Sequence, residues 1–463
     1  MKRTTKLMIG ITATGLAASA ICAPVALAET RTTKGDPVAR GLNQAARPLQ
    51  STTPNGSLKD LKPFGKMVGN AQVVGIGEAT HSTSEFYTLN NRILRYLAEE
   101  KGFTTFGREL SWSTGLRLND YVLRGKGDPR VIMHNEFRGP YALFDNAEFL
   151  GLLKWMRAYN STHAQAKKVQ FMGDDLLYPG DVLFDKVLAY VKRDRPKLLP
   201  AFIKLYDGLR PGTPDAGVYM GKALSQPPEV RQQNAARATQ ALNLLQKQGP
   251  GRHKTDYVWA VQHARSLTQT FTDYTFDQSK PGEAQKAQVY RDKSMADNIL
   301  WWNRVTRSKV QLSGLDPHIS RKAIDPAFVP HPQGAFLRDR LGSRYVNVGT
   351  TFNQGGYNFQ PEAGKSCPTD SVPAERPGTC KGTVSAASKG YNENVLDQVR
   401  YRDFFLDTRT APPAVRNWLA GVRPTRVIGG GFWSPGEDLK VSLSASYDIV
   451  IHLHQVKAAK LLP

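Results

Sequence analysis

The sequence predicts an α/β fold: a mainly parallel central sheet flanked by helices, with an inserted helical subdomain. Two observations predict the sheet. Short apolar runs recur along the chain, each ending in a glycine followed by a polar or charged group, and amphipathic stretches with helical spacing separate them. A third predicts the insert: from about Asp181 to Asn303 the strand signals stop and only helical patterns remain.

The elements follow in order. Val73–Val74–Gly75–Ile76 leads into Gly77, Glu78 and His81. Phe86, Leu89, Ile93, Leu94 and Leu97 then recur at helical spacing, and Gly102 supplies the stop. Thr104–Thr105–Phe106 leads into Gly107, Arg108 and Glu109, and a second helix runs from about Asn146 through Leu152 and Trp155 to Tyr159. Val169–Gln170–Phe171–Met172 leads into Gly173, Asp174 and Asp175. In the helical stretch that follows, breaks fall at Arg210–Pro211–Gly212–Thr213–Pro214 and at Gly249–Pro250–Gly251. Val310–Gln311–Leu312–Ser313 leads into Gly314, Asp316 and His318, and Tyr345–Val346–Asn347–Val348 into Gly349 and Thr350. Arg426–Val427–Ile428 and Tyr447 to Leu453 read as closing strands. Strands alternating with helices, apolar on both faces, belong to parallel sheets. The expected division is a leader over 1–28, a first core part over 29–180, the insert over 181–303 and a second core part over 304–463.

The leader has a positive start (Lys2, Arg3, Lys6), an apolar run from Leu7 to Ile21 and the small-residue site Ala26–Leu27–Ala28. This is the pattern of a secretory signal peptide cleaved after about Ala28. The residue before Cys22 is Ile21, where a lipoprotein site needs a small side chain. No later run approaches ~20 apolar residues, so no stable membrane association is expected once the signal is removed. The remaining cysteines, Cys367 and Cys380, read as a disulfide in an exported chain. That bond would close a loop in a Gly/Pro/Ser/Lys-rich segment from about Asn353 to Gly390, the kind of segment that forms lids or binding loops. The formal charge of +22 becomes +19 when Lys2, Arg3 and Lys6 leave with the signal. The Lys and Arg residues are scattered and no nucleic-acid motif accompanies them, so the charge reads as a solvated basic surface.

In a parallel sheet Glu78, His81, Glu109, Asp175 and His318 lie just past one edge, where ligands of such folds bind. Histidine is the natural general base near neutral pH. A carboxylate beside it fixes its tautomer and steadies its cation, a part open to Glu78 or Glu109. Two carboxylates held together would raise one pKa and give a second acid/base group. Asp175 has the alternative part of capping the next helix. His331, His452 and His454 read as structural or exposed. The serine elbow GxSxG, the zinc motif HExxH and the P-loop are missing from the sequence. Gly75–Ile76–Gly77–Glu78–Ala79–Thr80 begins like a dinucleotide fingerprint, but Thr80 replaces its third glycine and Glu78 blocks close approach of a pyrophosphate. No cofactor or metal is therefore expected, although Glu78, His81 and Glu109 leave a metal-dependent hydrolase open as an alternative.

Gly77–Glu78–Ala79–Thr80–His81–Ser82 resembles the GExTHG motif of the erythromycin esterase family. Arg95 to Phe103 resembles the helix and turn after that motif, and Phe106–Gly107–Arg108–Glu109 its second acidic strand end. Trp155–Met156–Arg157–Ala158–Tyr159–Asn160 resembles the WxRxYN segment, and Arg291–Asp292–Lys293–Ser294–Met295–Ala296–Asp297–Asn298 the RDxxMAxN helix. The resemblance implies an α/β core with a helical insertion, a deep cleft between them, and hydrolysis of an ester or lactone without a covalent serine. His81 matches the base that activates water, Glu78 and Glu109 the acidic residues around it, and His318 the second histidine of the HNxH motif. Leu315 stands where that motif has its first histidine, Asp316 where it has asparagine, and Asn90 where some macrolide esterases carry arginine. A hydrophobe in place of an imidazole changes the hydrogen bonding of a site. The expectation is a secreted, monomeric hydrolase acting on a small-molecule ester or lactone. In it, His318 or Arg108 polarises the carbonyl, and Asp175, Asp316 and Asn90 complete the binding surface. A non-catalytic small-molecule-binding protein on the same scaffold is the alternative of a different class.

Overall fold

The computed structural model describes residues 36–362, 364–431, 434, 436 and 438–463. The expected leader over 1–28, with Cys22, lies outside the described residues. The strands among the described residues are β1 (Arg47–Pro48), β2 (Val73–Glu78), β3 (Phe103–Ser111), β4 (Gln170–Asp175), β5 (Lys309–Leu315), β6 (Tyr345–Phe359), β7 (Val372–Pro373), β8 (Cys380–Val384), β9 (Phe404–Asp407), β10 (Val422–Thr425), β11 (Leu439–Ser442) and β12 (Ile449–Val456). The main sheet runs β1-β9-β12-β6-β2-β5-β3-β4, and β12, β6, β2, β5, β3 and β4 are mutually parallel. β9 and β1 close one side antiparallel, and β8 and β7 fold back on the far half of β6.

Every residue of β2 is buried, because helices cover both faces of the sheet. The helix Ser84–Lys101 buries Phe86, Leu89, Ile93, Leu94 and Leu97, and Gly102 ends it in the left-handed conformation at φ 70°. Between β4 and β5 the chain makes six α-helices: Gly180–Asp194, Leu199–Tyr206, Ala216–Leu224, Pro228–Gln248, Lys254–Asp273 and Pro281–Thr306. No helix among the described residues is long and apolar enough to cross a membrane.

The run Arg426–Val427–Ile428 does not form a strand of the main sheet. The neighbouring Val422–Thr425 pairs with Leu439–Ser442 in a separate two-stranded sheet. Pairing of β2 with β6 stops at Ile76, which leaves the backbone past Glu78 in need of partners. The segment after β10 supplies them: Ile428 N donates to Ala79 O at 2.7 Å, and His81 N donates to Gly429 O at 3.1 Å.

Cys367 and Cys380 form a disulfide. Between them lies Arg376, buried, which pairs with Asp145 and donates to Phe137 O at 2.8 Å. The segment expected to form a lid or binding loop is thus fastened beside residues 137–145.

The helix Trp112–Arg124 lies on β4 with no room to spare. A Cβ on Gly115 would sit 2.1 Å from the backbone nitrogen of Gly173, whereas one on Gly151, in the helix Ala147–Thr162, would meet nothing within 4 Å. Gly115→Ala should lower the unfolding free energy by about 1–3 kcal/mol through overpacking. Gly151→Ala should be neutral or raise it by up to about 1 kcal/mol through helix propensity. Chemical denaturation of the two variants checks both signs.

Candidate active site

The carboxyl edge of the sheet opens into a cleft of about 440 Å³. His81, Glu109, His318, Arg291 and Asp325, with the Tyr141 phenol, supply its charged and titratable wall. Phe144, Leu177, Leu315, Phe328 and Ile428 supply much of the rest. The helical stretch contributes through Arg291, on the helix Pro281–Thr306, and the short helical segment Gly139–Phe144 contributes Tyr141 and Phe144.

Glu78 is the last residue of β2 and is fully buried behind His81. Its Oε2 lies 3.7 Å from His81 Nδ1 and accepts from Arg108 Nη2 at 3.1 Å, while its Oε1 accepts from Ser313 Oγ at 3.1 Å. Burial pushes the Glu78 carboxyl up, but Arg108 and His81 outweigh it and hold it below its usual range. His81 is 12% exposed, its ring edge-on to Phe144 with centroids 4.9 Å apart.

Glu109 lies within β3 and has three partners. Arg291 Nη2 donates to its Oε1 at 2.9 Å, Leu315 N donates to its Oε2 at 3.1 Å, and His318 Nε2 lies 3.4 Å from Oε1. Burial works against the charge here too, but His318, Arg291 and His81 hold the carboxyl well below the usual range. His318 is buried in the turn after β5, and its Nδ1 is 2.8 Å from Asp292 Oδ1. Burial pushes the imidazole down, and the two carboxylates, Asp292 and Glu109, overcome it and raise the pKa. Arg291 also donates Nε and Nη2 to Asp175, at 3.0 and 2.7 Å. Its Nη1 has no hydrogen-bond partner among the described residues.

The structure brings His81, Glu109 and His318 together on one cleft, with Glu78 directly behind His81. Asp175 lies beneath Arg291 and Tyr141, whose hydroxyl donates to it at 3.1 Å. Arg108, Asp316 and Asn90 sit behind the cleft surface, not on it as binding residues must. Arg108 is spent on Glu78 and Ser313 and lies beneath the Phe144 ring, 4.3 Å from its centroid. Asp316 turns toward Gly77, where a Cβ would come within 1.8 Å of its Oδ1, and accepts from Thr350 N at 3.2 Å. Burial raises its carboxyl well above the usual range. Asn90 points into the protein, its side-chain oxygen accepting from Gln311 Nε2 at 3.1 Å. His452 is buried against Thr351 and Asp397, and His331 is exposed. Arg291, Asp292, Tyr141 and Phe144 escaped sequence reasoning as site residues. The available signal was the adjacent Arg291–Asp292 pair in a segment that carried the resemblance. Among the described residues, no group of three or more His, Cys, Asp or Glu side chains is arranged to hold a metal ion.

A parallel sheet with a histidine- and carboxylate-lined cleft at the carboxyl ends of its strands defines an α/β enzyme. The sequence matches the model of the erythromycin esterase family over residues 98–456, and the chain belongs to that family and is a hydrolase of it. It is similar to the erythromycin esterase type II of Escherichia coli, with 25% identity over 349 residues that cover 66% of this chain and 75% of that one. A solved Bacillus cereus protein is 29% identical with a TM-score of 0.80, the match covering 92% of this chain and 98% of that one. A mutant erythromycin esterase in its open conformation shares the fold at 16% identity and a TM-score of 0.69, over 89% of this chain and 98% of that one.

The pKa of Glu109, ordinarily near 4.5, is lowered on folding, so its contribution to stability is complete above that value and is lost as pH falls toward the depressed one. The gap in unfolding free energy between wild type and Glu109→Gln should be widest near neutral pH and shrink below pH ~4.5. Denaturant titrations across that range measure it.

Proposed function

We propose that this chain is a secreted hydrolase that cleaves a small-molecule ester or lactone with water activated at His81. The observation that carries the reading is the pairing of His81, at the cleft surface, with the buried Glu78 carboxylate 3.7 Å behind its Nδ1. That distance exceeds a hydrogen bond, and catalytic contacts of this kind tighten in the complex with substrate. Glu78 favours the imidazolium that forms when His81 takes a proton from water. Arg108 and Ser313 keep Glu78 ionised and immobile. The hydroxide then attacks the ester carbonyl, and Arg291 is placed to steady the oxyanion through Nη1.

The wall of Phe144, Leu315, Phe328 and Ile428 suits a substrate with an apolar flank. Leu315 offers contact surface where the related motif has an imidazole. Export is supported by the leader sequence and by the Cys367–Cys380 disulfide, since such bonds persist in oxidising compartments.

His81→Ala should lower kcat/KM on any ester the wild type cleaves by about 10²–10⁴-fold, the range of a lost general base. Its melting curve should match wild type, because the ring is partly exposed. Mass spectrometry of macrolides and other natural lactones incubated with both proteins identifies the substrate and tests the base together. Undiminished turnover in a folded His81→Ala protein would refute the mechanism.

A further inference from the structure

The cleft holds two histidines in unlike surroundings. His81 has one carboxylate, Glu78, beside Nδ1. His318 has one on each ring nitrogen: Asp292 Oδ1 at 2.8 Å from Nδ1 and Glu109 Oε1 at 3.4 Å from Nε2. Ionised carboxylates only accept hydrogen bonds. A neutral imidazole would have to turn a lone pair toward one of them, so this setting keeps a proton on both nitrogens. Asp292 is fully buried and fixed from three sides, its Oδ1 also accepting from Gln333 N at 2.7 Å and its Oδ2 from Gln288 Nε2 at 2.8 Å. The charged groups facing His318 are Asp292 and Arg291 from the helix Pro281–Thr306 and Glu109 from β3, and the Phe328 ring lies edge-on with centroids 6.4 Å apart.

We infer that His318 is the general acid of the reaction and that Asp292 is a positioning residue that holds its Nε2–H at the cleft, where a leaving oxygen beside Glu109 takes the proton. The inference rests on the ester-hydrolase reading above. In the attack, water gives one proton to His81 and its oxygen bonds to the carbonyl carbon. In the collapse, the oxyanion re-forms the carbonyl, the carbon–oxygen bond to the leaving alcohol breaks with its electron pair on oxygen, and that oxygen takes the Nε2 proton of His318. His81 then holds one proton more and His318 one fewer, and exchange with solvent restores both. Two imidazoles on one cleft, each backed by its own carboxylates, divide the parts of base and acid in this way.

The test compares an alkyl ester with a p-nitrophenyl ester of the same acyl group, since p-nitrophenolate leaves without needing a proton. Asp292→Asn should lower kcat on the alkyl ester by about 10²-fold or more, and on the p-nitrophenyl ester by at least tenfold less than that. Asp292 favours the imidazolium, so its neutralisation should also move the alkaline limb of the kcat–pH profile down by about one unit or more, while Asp292→Glu keeps the limb near wild type. Equal losses on both esters with an unmoved limb overturn the inference and leave the role of His81 standing. Should Asp292→Asn fail to fold, His318→Gln is read on the same two esters, and equal losses there overturn the inference as well. A wild type that cleaves neither these esters nor any natural lactone overturns both readings.

Discussion

The rest of the site depends on one guanidinium in the cleft wall, held by two buried carboxylates. Arg291 reaches from the helix Pro281–Thr306 to Glu109 on β3 and Asp175 on β4, and so ties the helical stretch to two neighbouring strands of the sheet. Removing one partner of a buried ion pair leaves an uncompensated charge and costs about 3–5 kcal/mol, far more than the intact pair gains over a well-packed apolar contact. The network therefore fixes geometry more than it adds stability. It sets where Glu109 stands, and through Glu109 where the wall carrying His318 meets the wall carrying His81.

A second guanidinium repeats the principle one step further from solvent. Arg108 neutralises Glu78 beneath Phe144, so the cleft presents an imidazole and an aromatic face with the compensating charges out of sight. The two histidines then differ by their backing: one carboxylate for His81, two for His318. Two carboxylates hold the His318 pKa up against its burial.

Much of this was legible in the sequence, and the limits are instructive. The parallel strands announced themselves because burial on both faces demands unbroken apolar runs, and Glu78, His81, Glu109 and His318 stood out because each follows such a run. Asp316, in the turn after β5, and Asn90, on the helix Ser84–Lys101, turn inward to Thr350 and Gln311, and Arg108 misled for a geometric reason. Side chains on a strand alternate between faces, and spacing alone does not say which face a distant insert will turn into a cleft. Tyr141 and Phe144 were silent because a short, irregular helical segment carries no periodicity to read. The strand expected at Arg426–Val427–Ile428 failed for a related reason: its β-rich composition serves two backbone bonds at the tip of β2 and no sheet ladder.

Those two bonds bear on the order in which the molecule is made. The amide of His81 is satisfied by a carbonyl from Gly429, and β12, the last strand of the chain, occupies an interior position between β9 and β6. Contacts between such distant points form late, because a long loop must close before they return any free energy. The reactive edge is thus assembled from the beginning and the end of the chain together. A nascent polypeptide carries His81, Glu109 and His318 before Gly429 and β12 are there to close the edge around them.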